Sequence, residues 1–349
     1  MTDSSLVLQR AGAAAKVLLT GRSLRGGQRE AEVKILVTGV AGFIGSHLAE
    51  TLSGMGHDVV GLDCFTDYYS AALKELNARH VVSRGIPLHR LDLAQDDLAE
   101  ALDGVEVVYH CAAQPGISDT TPFEAYVRNN IVATRRLAEA AMGQPGLRCF
   151  VNASTSSVYG KHATESEEAA PKPTSYYGVT KLAAEQLVLA YQRDRGFPGC
   201  SLRIFSVYGP RDRPEKLYPR LIRCILEGAE FPLYGGSLEH SRTFTYVADA
   251  VRGFVSVLDH VDEAIGEIFN IGSDSEATTG QGIEAVERIM GAKVRFRTLP
   301  PRAGDQLRTR ADIAKARRVL GYEPAASLED GLRAEVEWYR DEVFGRVEP

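Results

Sequence analysis

Residues 34–63 constrain the fold more than any other stretch of the chain. KILVTG (34–39) is an unbroken apolar run ending in glycine, as suits a strand buried on both faces of a parallel sheet. VAGFIGSHLAETLSGMGH (40–57) follows with apolar residues at helical spacing, closed by Gly54 and Gly56. DVVGLD (58–63) is a second strand. Between the first strand and the helix, Gly39, Gly42 and Gly45 stand in GxxGxxG spacing, with Phe43 and Ile44 inside the turn. Such glycines permit a tight turn, close approach of backbone to a pyrophosphate and close helix–strand packing. The helix N-terminus then faces the phosphates. Asp63 ends the second strand, where a carboxylate accepts hydrogen bonds from ribose hydroxyls and repels a 2′-phosphate. The expected cofactor is therefore NAD rather than NADP.

The alternation continues. IPLHRLDL (86–93) and VEVVYHCAAQ (105–114) are expected strands, the second running into the small residues Ala112 and Ala113, against which a cofactor can lie. FEAYVRNNIVATRRLAEAAM (123–142) is an amphipathic helix and LRCFVNAS (147–154) a fifth strand. The pattern predicts an α/β fold, a doubly wound parallel sheet of the Rossmann type, followed by a smaller C-terminal α/β substrate-binding domain. The expected boundaries are 34–205 for the NAD-binding domain and 206–349 mainly for the substrate domain. A segment near 240–272 returns to the first domain. Residues 1–33 form an extension without a sustained apolar core, so they do not read as a signal peptide. A short helix is expected near Leu6–Leu19. VKILVTG itself reads like a beginning, which predicts natural initiation at Val33; mass spectrometry of the native N-terminus tests this.

Composition narrows the function classes. The formal net charge of −6 and the lack of a basic block argue against a nucleic-acid partner. No apolar run reaches the roughly 18 residues of a membrane span. Cys64, Cys111, Cys149, Cys200 and Cys224 lie far apart without metal-ligand spacing, so no metal is expected. Reduced thiols and a cytoplasmic location are the expectation.

A second constellation follows. In SYYGVTKLAAEQLVLAYQRDRG (175–196), Tyr177 and Lys181 stand one helical turn apart, with Thr174 or Ser175 as N-cap and Gly196 as terminator. A tyrosine is a poor base at neutral pH unless a nearby cation favours its phenolate. Beside an ammonium and a nicotinamide it can take a hydroxyl proton while hydride leaves the same carbon. NASTSSVYG (152–160) supplies four consecutive hydroxyl side chains that could share that proton.

With TGVAGFIGSHL, HCAAQPG, RNNIVAT, NASTSSVYG, YYGVTK, RIFSVYGPRDRP, SRTFTYVADA and RAGDQLRTRAD in place, the chain resembles the extended short-chain dehydrogenase/reductases of the nucleotide-sugar epimerase and dehydratase type over roughly residues 34–340. The resemblance implies Thr155, Tyr177 and Lys181 as catalytic residues. It sets Asn130 near the nicotinamide side of the cofactor, and Asp92 and Leu93 near adenine.

The residues after Thr155 sort the reactions. The dehydratases of the family carry an Asp-Glu pair where this chain has Ser156 and Ser157, and the UDP-glucuronate decarboxylases carry Glu at Ser157. Both acids are missing. With TDYY (66–69) and a basic residue after SVYGPRD, the pattern is most similar to UDP-glucuronate 4-epimerases. That resemblance implies a sugar-carboxylate site from Ser156, Ser157, Ser206 and Arg213. It implies uracil stacking on Tyr234, diphosphate contacts from Arg242 and Arg302, and a ribose contact from Asp305. The expected reaction is NAD-dependent C4 epimerisation of UDP-glucuronate to UDP-galacturonate. The alternatives are a UDP-glucose or UDP-N-acetylglucosamine 4-epimerase, a UDP-glucuronate decarboxylase and a non-catalytic NAD-binding protein. Resemblance also implies a homodimer through helices 123–142 and 175–195.

Overall fold

A computed structural model describes residues 32–118, 120–301 and 307–347. Seven strands form one sheet: β1 Lys34–Thr38, β2 Asp58–Asp63, β3 Leu88–Arg90, β4 Val107–His110, β5 Cys149–Thr155, β6 Gly199–Ile204 and β7 Ile268–Ile271. Their spatial order is β3-β2-β1-β4-β5-β6-β7, and every pairing is parallel. The order reverses beside β1, so the carboxyl ends of β1 and β4 flank a crevice where the glycine turn sits.

Alternate residues of these strands face opposite layers, as the pleat requires. Ile35, Val37, Tyr109, Val151 and Phe269 pack with Leu48 and Leu52 of the helix Phe43–Gly54, and with Val251 and Phe254 of the helix Val247–Val255. Leu36, Val60, Val108 and Phe150 face the other way, onto Leu137, Ala141, Val188 and Tyr191. A third cluster lies among the helices Leu217–Glu227, Thr279–Met290 and Leu328–Trp338, around Tyr208, Tyr218 and Phe231. Smaller pairings accompany it, including Glu230–Tyr234 parallel to Arg295–Leu299.

Several elements differ from the sequence expectation. Only Leu88–Arg90 of the run 86–93 is strand, because β3 is the sheet edge and pairs on one side only; Asp92 lies beyond it. The run 105–114 pairs only over Val107–His110, after which the chain leaves the sheet to form the crevice wall. The helix over 123–142 is not uniform. Its middle, Val127–Val132, is π-helical between the α-helical Phe123–Tyr126 and Ala133–Met142. The helix Tyr176–Arg195 starts on Ser175, whose Oγ accepts from the Gly178 N–H at 3.1 Å, and ends at left-handed Gly196. The expected helix near Leu6–Leu19 and the proposed start at Val33 concern residues that lie, up to 31, outside the described ones. Among the described residues no helix is long and apolar enough to cross a membrane.

Candidate active site

The glycine turn is built by contacts that exclude side chains. A Cβ on Gly45 would lie 2.2 Å from the Gly39 carbonyl oxygen, and one on Gly39 would lie 2.7 Å from the Ala112 nitrogen. Gly39 also has φ of +73°, in the left-handed region that glycine tolerates. A Cβ on Gly42 would lie 3.0 Å from the same Gly39 oxygen, less severe than at Gly45. Asp63 Oδ2 accepts from the Ala41 N–H at 3.0 Å and Oδ1 from the Phe65 N–H at 2.8 Å. Asn77 donates to the Ala41 carbonyl at 3.0 Å from the neighbouring helix. These residues fit NAD: a side-chain-free cradle at a helix N-terminus, with a carboxylate at the end of β2. Phe43 packs edge-on against His47, and Ile44 is partly buried beside it.

Behind the cradle lies a buried chain that the sequence did not signal. Thr38 Oγ1 accepts from the Ala112 N–H at 3.2 Å and contacts His110 Nδ1 at 2.8 Å. His110 Nε2 contacts Thr134 Oγ1 at 2.9 Å, and that hydroxyl donates to the Asn130 carbonyl at 2.6 Å. Because Thr134 spends its proton on Asn130, His110 carries its hydrogen on Nε2 and accepts at Nδ1. Burial, with the Lys181 charge, pulls His110 down to about 3, so the ring is neutral. Asn130, in the π-helical segment, accepts from the Gln114 N–H at 2.7 Å and donates to Thr180 Oγ1 at 3.0 Å. The wall of the crevice is thereby tied to the helix of Tyr177 and Lys181. Ala113 follows Ala112 in that wall. Asp92 pairs with Arg128 and accepts from the Ala94 N–H at 2.9 Å, and Leu93 is buried.

The reactive groups converge in front of this wall. Thr155 is the last residue of β5, and its hydroxyl caps the turn Ser156–Tyr159, accepting from the Ser157 N–H at 3.2 Å, and stands near enough to the Tyr177 phenol to influence its proton. Burial raises the Tyr177 phenol above its ordinary range, while the nearby Thr155 hydroxyl and the Arg213 charge work in the opposite direction. Lys181 is buried, and desolvation lowers it to about 8 against the opposing influence of Cys111 and Glu185.

Glu185, one turn after Lys181, anchors the helix. It pairs bidentately with Arg203 of β6 at 3.0 and 2.7 Å and accepts from Ser154 Oγ at 2.8 Å. Arg203 continues to Tyr159 at 2.8 Å, and Tyr159 to Asn270 of β7 at 2.9 Å. The pair is almost wholly buried, so removing one partner leaves an uncompensated charge, at a cost of about 3–5 kcal/mol.

Opposite stands Arg213. Its guanidinium lies 5.7 Å from the Tyr68 ring centroid, and its charge acts on Tyr177. Nη1 is 2.7 Å from Glu215 Oε1, yet this buried nitrogen has no hydrogen bond among the described residues. Ser156 is buried and Ser157 half-buried at the start of the turn after Thr155; Ser206 follows β6. Tyr234 ends its strand half-buried, and Arg242 lies in a short strand paired to Ala277. Arg302 and Asp305 lie outside the described residues.

The family model for the NAD dependent epimerase/dehydratase family matches residues 35–272. A Bacillus subtilis protein described as the uncharacterized UDP-glucose epimerase YtcB is 41% identical over 309 residues, which cover 87% of this chain and 97% of that protein. UDP-glucuronate 4-epimerase 1 of Arabidopsis thaliana is 35% identical over 335 residues, covering 89% of this chain and 77% of that one. The crystal structure of the Bacillus cereus UDP-glucuronic acid 4-epimerase in complex with UDP-glucuronic acid and NAD superposes with a TM-score of 0.84 at 40% identity, covering 88% of this chain and 99% of that one.

Proposed function

The chain belongs to the NAD dependent epimerase/dehydratase family, and we propose that it inverts C4 of UDP-glucuronate to give UDP-galacturonate. The observation that carries this reading is Arg213, a mostly buried cation beside Tyr177 with a nitrogen that has no hydrogen bond. A neutral sugar would leave it only the ion pair with the half-exposed Glu215, which lacks hydrogen-bond geometry, whereas a hexuronate carboxylate would meet it with charge-assisted hydrogen bonds. The serines fit the same role. Ser156, Ser157 and Ser206 add hydroxyl donors without adding an acid that could drive elimination or decarboxylation.

NAD, which the Gly39–Gly45 cradle and Asp63 would hold, would supply the hydride acceptor and donor for C4. Everything else falls to the chain. Tyr177 removes the C4 hydroxyl proton, the Thr155 hydroxyl nearby assists by holding the same oxygen, and Lys181 favours the phenolate. The 4-keto sugar turns in the pocket and presents its other face. Tyr177 then gives the proton back to the inverted oxygen. Between these steps the substrate is a β-keto acid, which loses CO₂ when its carboxylate bond aligns with the carbonyl π system. Arg213 and the serines hold the carboxylate near the carbonyl plane and suppress that loss. Tyr234 is assigned to the uracil face and Arg242, with Arg302, to the diphosphate; Asp305 is assigned to ribose.

The same reading includes a homodimer and a cytoplasmic location. Tyr176, 58% exposed, and Val179 lie on the helix Tyr176–Arg195, and the Tyr176 ring is 5.0 Å from the exposed Phe123 ring. Together they leave apolar surface on the two helices expected to pair; sedimentation tests it. Five free cysteines fit a reducing compartment. For the reaction, purified enzyme is incubated separately with UDP-glucuronate, UDP-glucose and UDP-N-acetylglucosamine and products are identified by NMR. UDP-galacturonate from the first is expected. Turnover of UDP-glucose alone would support the relationship to the Bacillus subtilis protein and sink the hexuronate reading. Arg213→Ala is expected to lose UDP-glucuronate turnover or release the decarboxylated pentose.

A further inference from the structure

Arg213 sits at the end of a turn that is unusual in its backbone. Gly209 has φ of +134°, and Arg211, which is not glycine, has φ of +72°. A left-handed residue with a long side chain persists only where its surroundings hold it. Within the turn, the Asp212 N–H donates to the Gly209 carbonyl at 3.0 Å, and the Arg213 N–H to Asp212 Oδ1 at 2.7 Å. Beside the packing of Gly209 on Tyr246 and Val247, polar restraint from outside comes from one helix. His47 Nε2 donates to the Pro210 carbonyl at 2.9 Å, and Glu50 Oε1 accepts from Arg211 Nη1 at 2.7 Å. The Arg211 and Glu50 side chains are only 9% and 15% exposed, so this ion pair is better shielded than a surface pair. His47 and Glu50 are three apart on the helix Phe43–Gly54, whose first turn forms the NAD cradle.

We propose that His47 and Glu50 are positioning residues for substrate recognition: they clamp Pro210 and the left-handed Arg211 to the cofactor helix and so aim Arg213 at the sugar carboxylate. This rests on the reading of Arg213 given above. Neither residue touches substrate; both act through the turn. The cofactor helix therefore sets hexuronate selectivity as well as cofactor binding, and its placement is felt at the carboxylate.

The test measures Kd for UDP-glucuronate and for UDP-glucose by calorimetry on NAD-loaded enzyme, with Tm and NAD content as controls. Glu50→Gln is expected to weaken UDP-glucuronate about tenfold while UDP-glucose changes less than about twofold. The charge swap Glu50→Arg with Arg211→Glu should recover part of the loss. His47→Ala should weaken UDP-glucuronate selectively, and His47→Gln, which keeps a donor at the Nε2 position, should not. If Glu50→Gln does not fold, the two His47 variants carry the same comparison. Equal losses for both ligands, or no loss for either, overturn the proposal. Arg213→Ala separates the two levels. If it leaves the preference intact, the Arg213 reading itself fails. If it abolishes the preference while Glu50→Gln and His47→Ala do not, only the clamp is refuted.

Discussion

In the cofactor cradle and its wall the contacts are hydrogen bonds among backbone, hydroxyl, imidazole, amide and carboxylate groups, whereas the turn that carries Arg213 adds ion pairs to its hydrogen bonds, one of them to a half-exposed partner. Thr38, His110, Thr134 and Asn130 are all buried and joined end to end. Arg213 instead faces Glu215, whose side chain is 45% exposed, without hydrogen-bond geometry. The difference matches what each region holds. A cofactor that is regenerated in every turnover suits a rigid seat, while a substrate that must enter, rotate and leave suits partners that can be exchanged.

Replacing Tyr177 cuts across both regions, and it carries the largest expected effect. Tyr177→Phe should lower kcat by about 10²–10⁴-fold with NAD content unchanged; loss of NAD in step with activity would show that the phenol belongs to the cradle instead. On the cradle side, Gly45→Ala forces a carbon against the Gly39 carbonyl. It should weaken NAD by about 10²-fold, read by NAD titration, with little selectivity between sugars. Lys181 sharpens the contrast through stability. Its proton is held to about 8 in the fold against 10.5 in the unfolded chain. The unfolded state therefore binds more protons between those values, and stability rises with pH across that window. Lys181→Met should abolish turnover yet raise the Tm of cofactor-free protein at pH 7, by an amount reflecting roughly 3 kcal/mol, with the gap closing toward pH 10. An unchanged Tm would mean that the ammonium is better solvated than its burial indicates. The smallest effect belongs to the exchangeable turn: Glu215→Gln should lower the KM for UDP-glucuronate by about 2–5-fold, since a rival carboxylate is removed. A raised KM would make Glu215 a holder of Arg213 instead.

The parts legible in the sequence were those whose physics is local. Glycine at 39 and 45, the Ser175 cap and the Gly196 terminator each answer a demand made by neighbouring residues, and apolar runs disclose a buried parallel sheet. The spacing of Tyr177 and Lys181 is likewise one turn of helix. What stayed hidden depends on distant partners. Thr38 and His110 lie 72 positions apart, as do many pairs that never meet, and nothing in either residue names the other. The Glu50–Arg211 pair spans 161 positions. Family resemblance could point to Arg213, but not to the helix that holds it. The run 86–93 reads longer than the strand Leu88–Arg90 because apolar residues at a sheet edge look the same in sequence as paired ones.

The π-helical turn at Val127–Val132 has a consequence for anyone who would recombine this chain. Tyr126, Asn130 and Thr134 are buried at intervals of four, and in an ideal α-helix each such interval would drift by about 40°. The wider turn absorbs that drift, so one segment can serve the crevice with Asn130 and the sheet with Leu137 and Ala141. Its phase is stored in residue count rather than residue type. A single-residue deletion or insertion inside 127–132 would shift the phase of everything downstream while every side chain stayed conservative, so exchange between relatives should preserve the residue count of 123–142.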